Sequence, residues 1–411
     1  PDGRPVAFPR CPVGVPAAAT RLFVLPLDGG EPEPRSPEKG SVGELAWAPD
    51  GRSLAYTAEV EPPRFLVGKA KPGTSPLARH IRRMDWRWDE AGHVDRWSHL
   101  HVVAATGPVR PRRLTSGEGG AHGIAWRPDG RAIAYAADRR PDGDRSPHPV
   151  IWAVEPEARS GAGAGGTEGA GAGAEADADA TGARAGAGGI PEPRELVRLA
   201  GPAGQPAYSP DGRWIAVVGA DDPDWTDEVS PTLYVAPAGG GPAVALAPEL
   251  DRPVGSWADS DLMGWFTEAR GGPTWTEDGD VIALVSDRGR VHPWRFPVDP
   301  ASGGPAGDPV RLAAGDVAGR SLAIGGGVVS MVAVTAHGPA ELCVVEGGGA
   351  GVDGAGGDAD RGADGGGSRS GADEAGGPGD ASGGGPGRLR PRTTFGSAWV
   401  RGLAWPTMRV V

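Results

Sequence analysis

The residues best suited to bind a charged ligand lie in one short stretch between positions 79 and 88. The stretch interleaves guanidinium groups with indole rings, and its candidate members are Arg79, Arg82, Arg83, Trp86, Arg87 and Trp88. Guanidinium groups bind carboxylates through paired hydrogen bonds, so these residues could hold an anion or a peptide carboxylate. Alternatively, the guanidinium groups and indole rings could stack on one another as cation–π pairs inside the protein. We favour this second interpretation, in which the stretch has a structural role.

Three histidines near this stretch raise the question of a metal site. His99 and His101 are two positions apart, so in a strand they would share one face. His93 lies a short distance before them. A zinc site needs three or four ligands within tetrahedral reach, so this pattern is weak evidence for a metal. The sequence therefore predicts no metal and no cofactor.

A repeated set of carboxylates could also suggest cation binding. Each aspartate of the set precedes a glycine, in Asp50-Gly51, Asp129-Gly130, Asp211-Gly212 and Asp278-Gly279. Aspartate hydrogen-bonds back to the backbone of a turn and glycine supplies a positive φ, so turn chemistry explains every pair. Calcium would need several oxygens converging on one point, whereas a repeat holds its turns apart. We expect structural turns, not ligands.

These turns belong to a longer motif of strand, turn and strand. An aromatic residue stands three positions before each aspartate, as Trp47, Trp126, Tyr208 and Trp275. An apolar-Ala-apolar triplet begins three positions after each glycine, which is the period-two pattern of a strand. After Asp129, this pattern places Ile133 and Tyr135 on one face and Ala134 on the other. The tryptophans are interpreted as core residues between repeats, not as a cofactor site.

Repetition of about 40–50 residues, with four strands in each unit, predicts an all-β fold: a β-propeller of four-stranded blades. Six blades are in view, beginning near residues 1, 41, 119, 204, 271 and 316, and a seventh is expected in the parent protein. The propeller is predicted to span residues 1–396. Because the chain opens on the turn Pro1-Asp2-Gly3, we interpret its N-terminus as truncated.

Three insertions interrupt the repeats. Residues 159–189 and 347–388 consist almost entirely of Gly, Ala, Asp, Ser and Arg. Such segments bury too little apolar surface to offset the entropy of ordering, so we expect flexible loops between third and fourth strands. The insertion at residues 58–97 is aromatic and charged, and we expect it to be ordered.

Composition excludes some classes of partner. The formal net charge of −12 argues against nucleic-acid binding, which requires a basic surface. Cys11 and Cys343 are far apart and are interpreted as free thiols, which fits a reducing compartment and predicts a cytoplasmic protein. The sequence has no apolar run long enough to span a membrane, so no membrane partner is expected.

The motif Trp-x-Pro-Asp-Gly-Arg-x-Ile-Ala-Tyr at residues 126–135 resembles the PD40 repeats of TolB-like propellers. It is equally similar to the N-terminal propeller of the prolyl oligopeptidase (S9) family of serine peptidases. Residues 95–103, Asp-Arg-Trp-Ser-His-Leu-His-Val-Val, resemble the acylaminoacyl-peptidase-like branch, as do residues 330–346 and 394–400. This resemblance implies that the stretch 79–88 lies near the space between propeller and hydrolase domain.

The resemblance implies a parent serine peptidase whose Ser-Asp-His triad lies in a covalently linked α/β-hydrolase domain. The nucleophile of that domain sits in a Gly-x-Ser-x-Gly turn, which this sequence does not contain. Residues 397–411 are interpreted as the exit strand towards the absent domain, so this chain should be inactive alone. Its expected role is to select short peptides for an acylaminoacyl- or dipeptidyl-peptidase. The alternative is a stand-alone TolB-like, protein-binding propeller, and homo-oligomers are compatible with both.

Overall fold

The computed structural model describes most of the chain. The described residues are 5–12, 19–38, 40–60, 66–67, 78–81, 83–88, 92–94, 96–156, 189–226, 229–258, 271–335, 338–347 and 386–393. These residues form strands, turns and connecting segments, and include no helix. Apart from their ends, the two low-complexity insertions lie outside the described residues, and so do Arg82 and the predicted exit strand at 397–411.

The strands of the N-terminal half form three antiparallel sheets and two small hairpins. Sheet 1 contains β1 (Pro5–Arg10), β2 (Arg21–Pro26) and β3 (Glu33–Pro34). Then follow β4 (Val42–Trp47), β5 (Ser53–Val60), β6 (Leu66–Val67), β7 (Ala78–Arg79), β8 (Arg87–Trp88), β9 (Gly92–His93), β10 (Trp97–Ala104) and β11 (Arg112–Arg113). Sheet 2 has the order β11-β10-β5-β4, while β6–β7 and β8–β9 are hairpins. Sheet 3 contains β12 (His122–Trp126), β13 (Ile133–Ala137), β14 (Val150–Val154) and β15 (Arg194–Val197).

The C-terminal half continues in the same way. Sheet 4 contains β16 (Ala203–Tyr208), β17 (Trp214–Gly219), β18 (Thr232–Pro237) and β19 (Val244–Ala245). Sheet 5 contains β20 (Thr274–Trp275), β21 (Val281–Asp287), β22 (Arg290–Phe296) and β23 (Val310–Arg311). Sheet 6 contains β24 (Ala313–Ala314), β25 (Val317–Gly325), β26 (Val328–Thr335), β27 (Gly338–Glu346) and β28 (Gly387–Pro391). The sheets follow the order of the predicted blades, and the blade number of the whole propeller stays a prediction.

One type of backbone contact joins neighbouring sheets. The N–H next to the start of a first strand donates to a carbonyl next to the start of the third strand of the preceding sheet, as Ala121 N does to Ser98 O at 2.7 Å. Ala203 N donates to Pro149 O in the same way at 2.8 Å. Between sheets 5 and 6 the contact becomes a single parallel pair, Val291 with Ala318. This one pair makes sheets 5 and 6 continuous as a nine-stranded sheet.

The apolar core lies between the sheets, not inside a single pair of layers. Ile133 and Tyr135 pack with Leu100 of sheet 2, whereas Ala134 packs with Ile215 of sheet 4. All five residues of β13 are therefore buried, because each face of the strand meets a different neighbouring sheet. Because the triplet alternates large apolar residues with alanine, its large side chains point to one face of the sheet and its small side chain points to the other.

The fourth copy of the motif pairs in a different register. In sheet 3 Trp126 pairs with Ile133, but in sheet 5 Trp275 pairs with Val281, one residue earlier in the motif. A slip of one residue exchanges the faces of a strand. Ala283 therefore packs towards sheet 4 together with Val281, whereas the alanines of the other copies face the following sheet.

A difference in turn length accompanies this slip. In sheet 4 Ser209 N donates to Trp214 O across the turn at 2.9 Å, whereas in sheet 5 Thr276 N donates to Asp280 O at 2.8 Å. The fourth turn is thus one residue shorter. The Thr276 hydroxyl accepts the N–H of Asp280 at 3.0 Å, which closes the shorter turn.

Burial of His292 in β22 makes stability depend on pH. The side chain is 2% exposed, and its Nε2 donates to Gly315 O at 2.8 Å. Burial lowers the pKa of His292, and Arg311 and Arg290 lower it further, whereas the hydrogen bond to Gly315 O and the charge of Asp287 oppose this effect. The unfolded chain therefore binds more protons than the folded chain just below a pH of about 6.5, so stability is lost as pH falls.

We expect acidification from about pH 7.5 to about pH 5.5 to destabilise the wild-type chain more than a His292→Gln chain, by at most about 1.4 kcal/mol per pH unit. Glutamine keeps a donor for Gly315 O but cannot be protonated. Urea unfolding at several pH values measures the difference. Parallel pH profiles for the two chains would contradict this assignment.

Candidate functional site

The connections between second and third strands meet the connections between sheets at one end of the molecule. This loop face includes residues 138–149, 198–202 and 246–258. The Asp-Gly turns lie at the opposite end, because each turn joins the first and second strands of an antiparallel sheet. Their glycines have positive φ values, of 68° at Gly51 and 71° at Gly130. Asp129 Oδ1 accepts the N–H of Arg131 at 3.0 Å, so turn geometry accounts for this carboxylate.

The arginine and tryptophan stretch lies on the loop face, where Arg83 is fully engaged by carboxylates. Its Nε and Nη2 donate to the two oxygens of Asp85 at 2.8 and 2.9 Å. Its Nη1 donates to Glu118 at 3.2 Å. The hydrogen bonds that Arg83 donates to Asp85 raise the pKa of Arg83, against the opposing effect of burial. A guanidinium group with two carboxylates has little capacity left for an external anion.

The aromatic residues of the stretch make intramolecular contacts. The guanidinium carbon of Arg83 lies 5.6 Å from the ring centroid of Trp97, a cation–π distance. Trp86 is 38% exposed, and its ring centroid lies 5.7 Å from that of His93. Arg87 is exposed in β8. Arg79 in β7 and Trp88 in β8 are described only by their backbone positions.

The same stretch is attached to sheet 3. Met84 N donates to Asp144 Oδ2 at 2.7 Å, and this hydrogen bond lowers the pKa of Asp144. The Met84 side chain is 73% exposed next to this contact. The insertion therefore spans two neighbouring sheets on the loop face.

A separate cavity of about 220 Å³ opens where sheets 3, 4 and 5 meet on the loop face. It is lined by Pro149, Pro202, Ala203, Gly204, Gln205, Val218, Gly219, Ala220, Trp225, Pro231, Val254, Gly255, Ser256 and Trp257. None of these lining residues is charged. The cavity is therefore suited to an uncharged, largely apolar group.

Two polar atoms in this lining lack hydrogen-bond partners among the described residues. Ser256 is 2% exposed, and its Oγ is buried without a partner. The indole Nε1 of Trp225 is likewise buried and unpartnered. An unsatisfied buried polar group costs about 1–3 kcal/mol, so such atoms are unusual in a folded chain.

A wider cavity of about 420 Å³ lies on the other side of Trp257. Arg252 and Arg288 line it, and Arg252 Nε donates to Asp287 Oδ1 at 2.6 Å. Arg288 has a φ of 50° and Gln205 has a φ of 51°. They are the two non-glycine residues with positive φ in the described part of the chain, and each lines one of these cavities.

The backbone at Gln205 is strained for any residue that has a Cβ atom. The corresponding position of sheet 3 is Gly123, with a φ of 60°. We expect Gln205→Gly to be more stable than Gln205→Ala by about 1 kcal/mol, because only glycine adopts this φ freely. Urea unfolding of the two variants measures the difference. Equal stability, or a more stable alanine variant, would contradict the assigned conformation.

Two of the three histidines considered as metal ligands, His99 and His101, are packed in sheet 2, whereas His93 is exposed in β9. His99 Nδ1 lies 3.3 Å from Thr115 Oγ1, and the His101 ring stacks on Tyr56 with centroids 5.3 Å apart. The described ranges hold no cluster of three or more His, Cys, Asp or Glu residues arranged to bind a metal ion. No helix long and apolar enough to cross a membrane is found within those ranges.

Sequence patterns did not point to the cavity. Its tryptophans, Trp225 and Trp257, lie outside the repeated motif, between strands. Ser256 carries no motif either. The one available signal was Gln205, which occupies a position held by glycine in the preceding sheet.

Comparison with solved structures identifies the architecture. An acylaminoacyl peptidase from Pyrococcus horikoshii superposes with a TM-score of 0.52 and 14% identity, covering 84% of this chain and 42% of the peptidase. The chain adopts a β-propeller fold. At 14% identity this likeness shows the fold alone, and the chain spans less than half of the peptidase's length.

Further solved structures align less closely. A puromycin-hydrolyzing peptidase from Mycobacterium tuberculosis has a TM-score of 0.49 and 15% identity, covering 83% of this chain and 43% of that chain. TolB from Acinetobacter baumannii has a TM-score of 0.44 and 14% identity, covering 83% of this chain and 60% of that chain. No protein-family model matches the sequence, and the search of curated proteins finds no match.

Proposed function

We propose that this chain is the propeller part of an S9-type serine peptidase, where it admits short peptides to a covalently linked hydrolase domain. The observation that carries this proposal is the superposition on the acylaminoacyl peptidase over 84% of the chain. The motif resemblance at residues 95–103 supports the same branch. The cytoplasm is the proposed location of the parent enzyme.

The proposed mechanism is selection by exclusion. Bond cleavage, by nucleophilic attack of an activated serine and hydrolysis of the acyl-enzyme, belongs to the linked domain. The propeller holds its blades together through backbone hydrogen bonds and apolar packing between sheets. In this proposed mechanism the propeller admits an extended short peptide but not a folded protein. The loop face, with its insertion and two cavities, is the side on which peptides are sorted.

The test begins with sequencing the complete gene that contains the segment encoding Pro1 to Val411. We expect an in-frame continuation with a Gly-x-Ser-x-Gly motif, followed by Asp and then His. The complete gene product should cleave chromogenic N-acyl peptides, with a rate that falls as peptides lengthen, and should leave folded proteins intact. The matched control is the same product with its nucleophilic serine replaced by alanine.

The 411-residue chain assayed alone should show no peptide hydrolysis above the buffer rate. Hydrolysis by this chain would overturn the assignment of catalysis to a linked domain. A complete gene without a hydrolase motif would overturn the proposed function and favour a protein-binding propeller. Cleavage that is independent of peptide length would overturn the gating role.

A further inference from the structure

The wider cavity on the loop face, of about 420 Å³, combines positive charge with an aromatic wall. Its volume lies within the range of about 300–1,000 Å³ that is typical of small-ligand sites. Its charged lining residues are Arg252, Asp287 and Arg288, so cations outnumber carboxylates there. The chain as a whole has the opposite balance, with a formal net charge of −12. A local excess of positive charge in a concave site favours an anionic ligand.

Arg288 is the lining residue whose guanidinium group is free to bind such a ligand. Its side chain is exposed, and it makes no hydrogen bond or ion pair within the described part of the chain. By contrast, Arg252 Nε donates to Asp287 Oδ1 at 2.6 Å. Arg290 Nε likewise donates to Asp316 Oδ1 at 2.6 Å. The two arginines adjoining this turn are therefore occupied by carboxylates, whereas Arg288 is not.

The backbone at Arg288 adopts a conformation that disfavours a long side chain. Asp287 pairs with Arg290 across a two-residue hairpin turn between β21 and β22. Arg288 and Gly289 have φ values of 50° and 76°. Two positive φ values define a type I′ turn, in which asparagine or glycine is favoured. Arginine costs stability here relative to either residue, and backbone strain of this kind clusters at ligand-binding sites.

Trp257 forms the aromatic wall of the cavity and is held in place although it is 49% exposed. Its indole Nε1 donates to Val254 O at 3.2 Å, and its backbone N donates to Ser286 Oγ at 2.9 Å. A Cβ at Gly255 would lie 2.9 Å from the same Nε1, so the ring packs over this glycine. Ser286 stands two residues before Arg288, which anchors the indole beside the turn. A ring that is already fixed loses little entropy when a ligand packs on it.

We propose that this cavity binds a carboxylate carried on an apolar group, and that its ligand is the C-terminal residue of a short peptide. Arg288 holds the carboxylate through paired hydrogen bonds, and the apolar side chain of the peptide packs on Trp257. The inference rests on the proposed function only in taking a peptide as the ligand. A neutral chain end offers Arg288 no charge, and a C-terminal glycine offers Trp257 no side chain.

The test compares three small ligands of the 411-residue chain by calorimetry and ligand-detected NMR. N-acetyl-phenylalanine carries both the free carboxylate and the apolar group. N-acetyl-phenylalaninamide lacks the charge, and N-acetyl-glycine lacks the apolar group. We expect each control ligand to bind at least about tenfold more weakly than N-acetyl-phenylalanine. Absence of N-acetyl-phenylalanine binding, or equal binding of its amide, overturns the proposal.

Arg288→Asn removes the charge at a turn position that suits asparagine, so the Tm should be unchanged or higher. It should weaken N-acetyl-phenylalanine binding by at least about tenfold and leave binding of the amide within about twofold. Unchanged carboxylate binding would overturn the role of Arg288. A lower Tm would show that Arg288 stabilises the fold instead, and would overturn its assignment as a ligand-binding residue.

Arg131→Asn is the matched control for the loss of one charge. Arg131 is exposed next to an Asp-Gly turn at the opposite end, and its side chain makes no hydrogen bond or ion pair with the residues that the structure describes. Carboxylate binding should stay within about twofold of wild type. A loss as large as that of Arg288→Asn would show a general effect of net charge and overturn the site.

Trp257→Ala tests the apolar contact separately from the charge. It should weaken N-acetyl-phenylalanine binding by at least about fivefold and leave N-acetyl-glycine binding within about twofold. Raising the salt concentration from about 0.05 M to about 0.5 M should weaken carboxylate binding and leave amide binding unchanged, because salt screens the ion pair. Full binding by Trp257→Ala would overturn the role of the indole.

These outcomes are separate from those of the peptidase assay. If the complete gene product cleaves peptides but N-acetyl-phenylalanine does not bind, the proposed function stands and this subsite is wrong. If N-acetyl-phenylalanine binds as described and the gene encodes no hydrolase, the subsite stands and the peptidase proposal is wrong.

Discussion

Trp275→Ala is expected to lower the free energy of unfolding by about 3–5 kcal/mol. The side chain is 8% exposed and packs with Val281 and Phe296 in the apolar cluster between sheets 4 and 5. Its Nε1 donates to Ala207 O at 2.8 Å. The substitution removes both the packing and the hydrogen bond at the junction between two blades. Urea unfolding followed by circular dichroism measures the loss.

Trp257→Ala is the matched control for this experiment. Trp257 is 49% exposed, so its removal should cost no more than about 1 kcal/mol. Trp126 makes the same kind of contact between sheets 2 and 3 as Trp275 makes between sheets 4 and 5. The Nε1 of Trp126 donates to Ala46 O at 3.1 Å. A loss at Trp275 no larger than that at Trp257 would contradict the role of the motif tryptophan between blades.

Gly219→Ala is expected to destabilise the chain by about 2–3 kcal/mol, although it adds a single methyl group. A Cβ at this position would lie 2.3 Å from Pro202 O and 3.1 Å from Ala203 Cα. Both atoms belong to the backbone, so the clash cannot be relieved by rotating a side chain. β17 and the connection to β16 must separate, and that opens the edge of sheet 4.

Gly204→Ala on the neighbouring strand is the control, since its Cβ meets nothing within 4 Å. It should leave the stability unchanged or raise it by up to about 1 kcal/mol, because alanine reduces the entropy of the unfolded chain. Thermal unfolding of both variants, run in parallel, compares them directly. Similar Tm values for the two would show that the connection before β16 is not packed against Gly219.

Local sequence was sufficient to predict the strand-turn-strand units. Proline, aspartate and glycine define a turn through backbone dihedral preferences and a side-chain hydrogen bond, which act within a few residues. At Asp211 the carboxylate accepts from Arg213 N at 3.0 Å. The apolar-Ala-apolar triplets also indicated that both faces of each strand are buried, because they place an apolar residue, large or small, on either face.

The insertion shows the limit of such reasoning. From the sequence, its arginines could bind an external anion or stack on aromatic rings inside the protein, and the second interpretation was favoured. Asp85 and Glu118 both contact Arg83, and Glu118 lies far from it in sequence. Ion pairs between residues far apart in sequence depend on contacts that no local pattern encodes. Predictions remain for the roles of Arg79, Arg82, Arg87 and Trp88.

The sequence by itself determined the repeating unit, the positions of its turns and the propeller fold, since these depend on short-range backbone chemistry and on a strong period. Only the tertiary structure decided the slipped register of sheet 5 and the cavity beside Ser256. In the slipped sheet the turn is one residue shorter and closes from Thr276 N to Asp280 O. The cavity depends on segments from three sheets that meet only when the blades pack, because non-local packing places residues that are unrelated in sequence side by side.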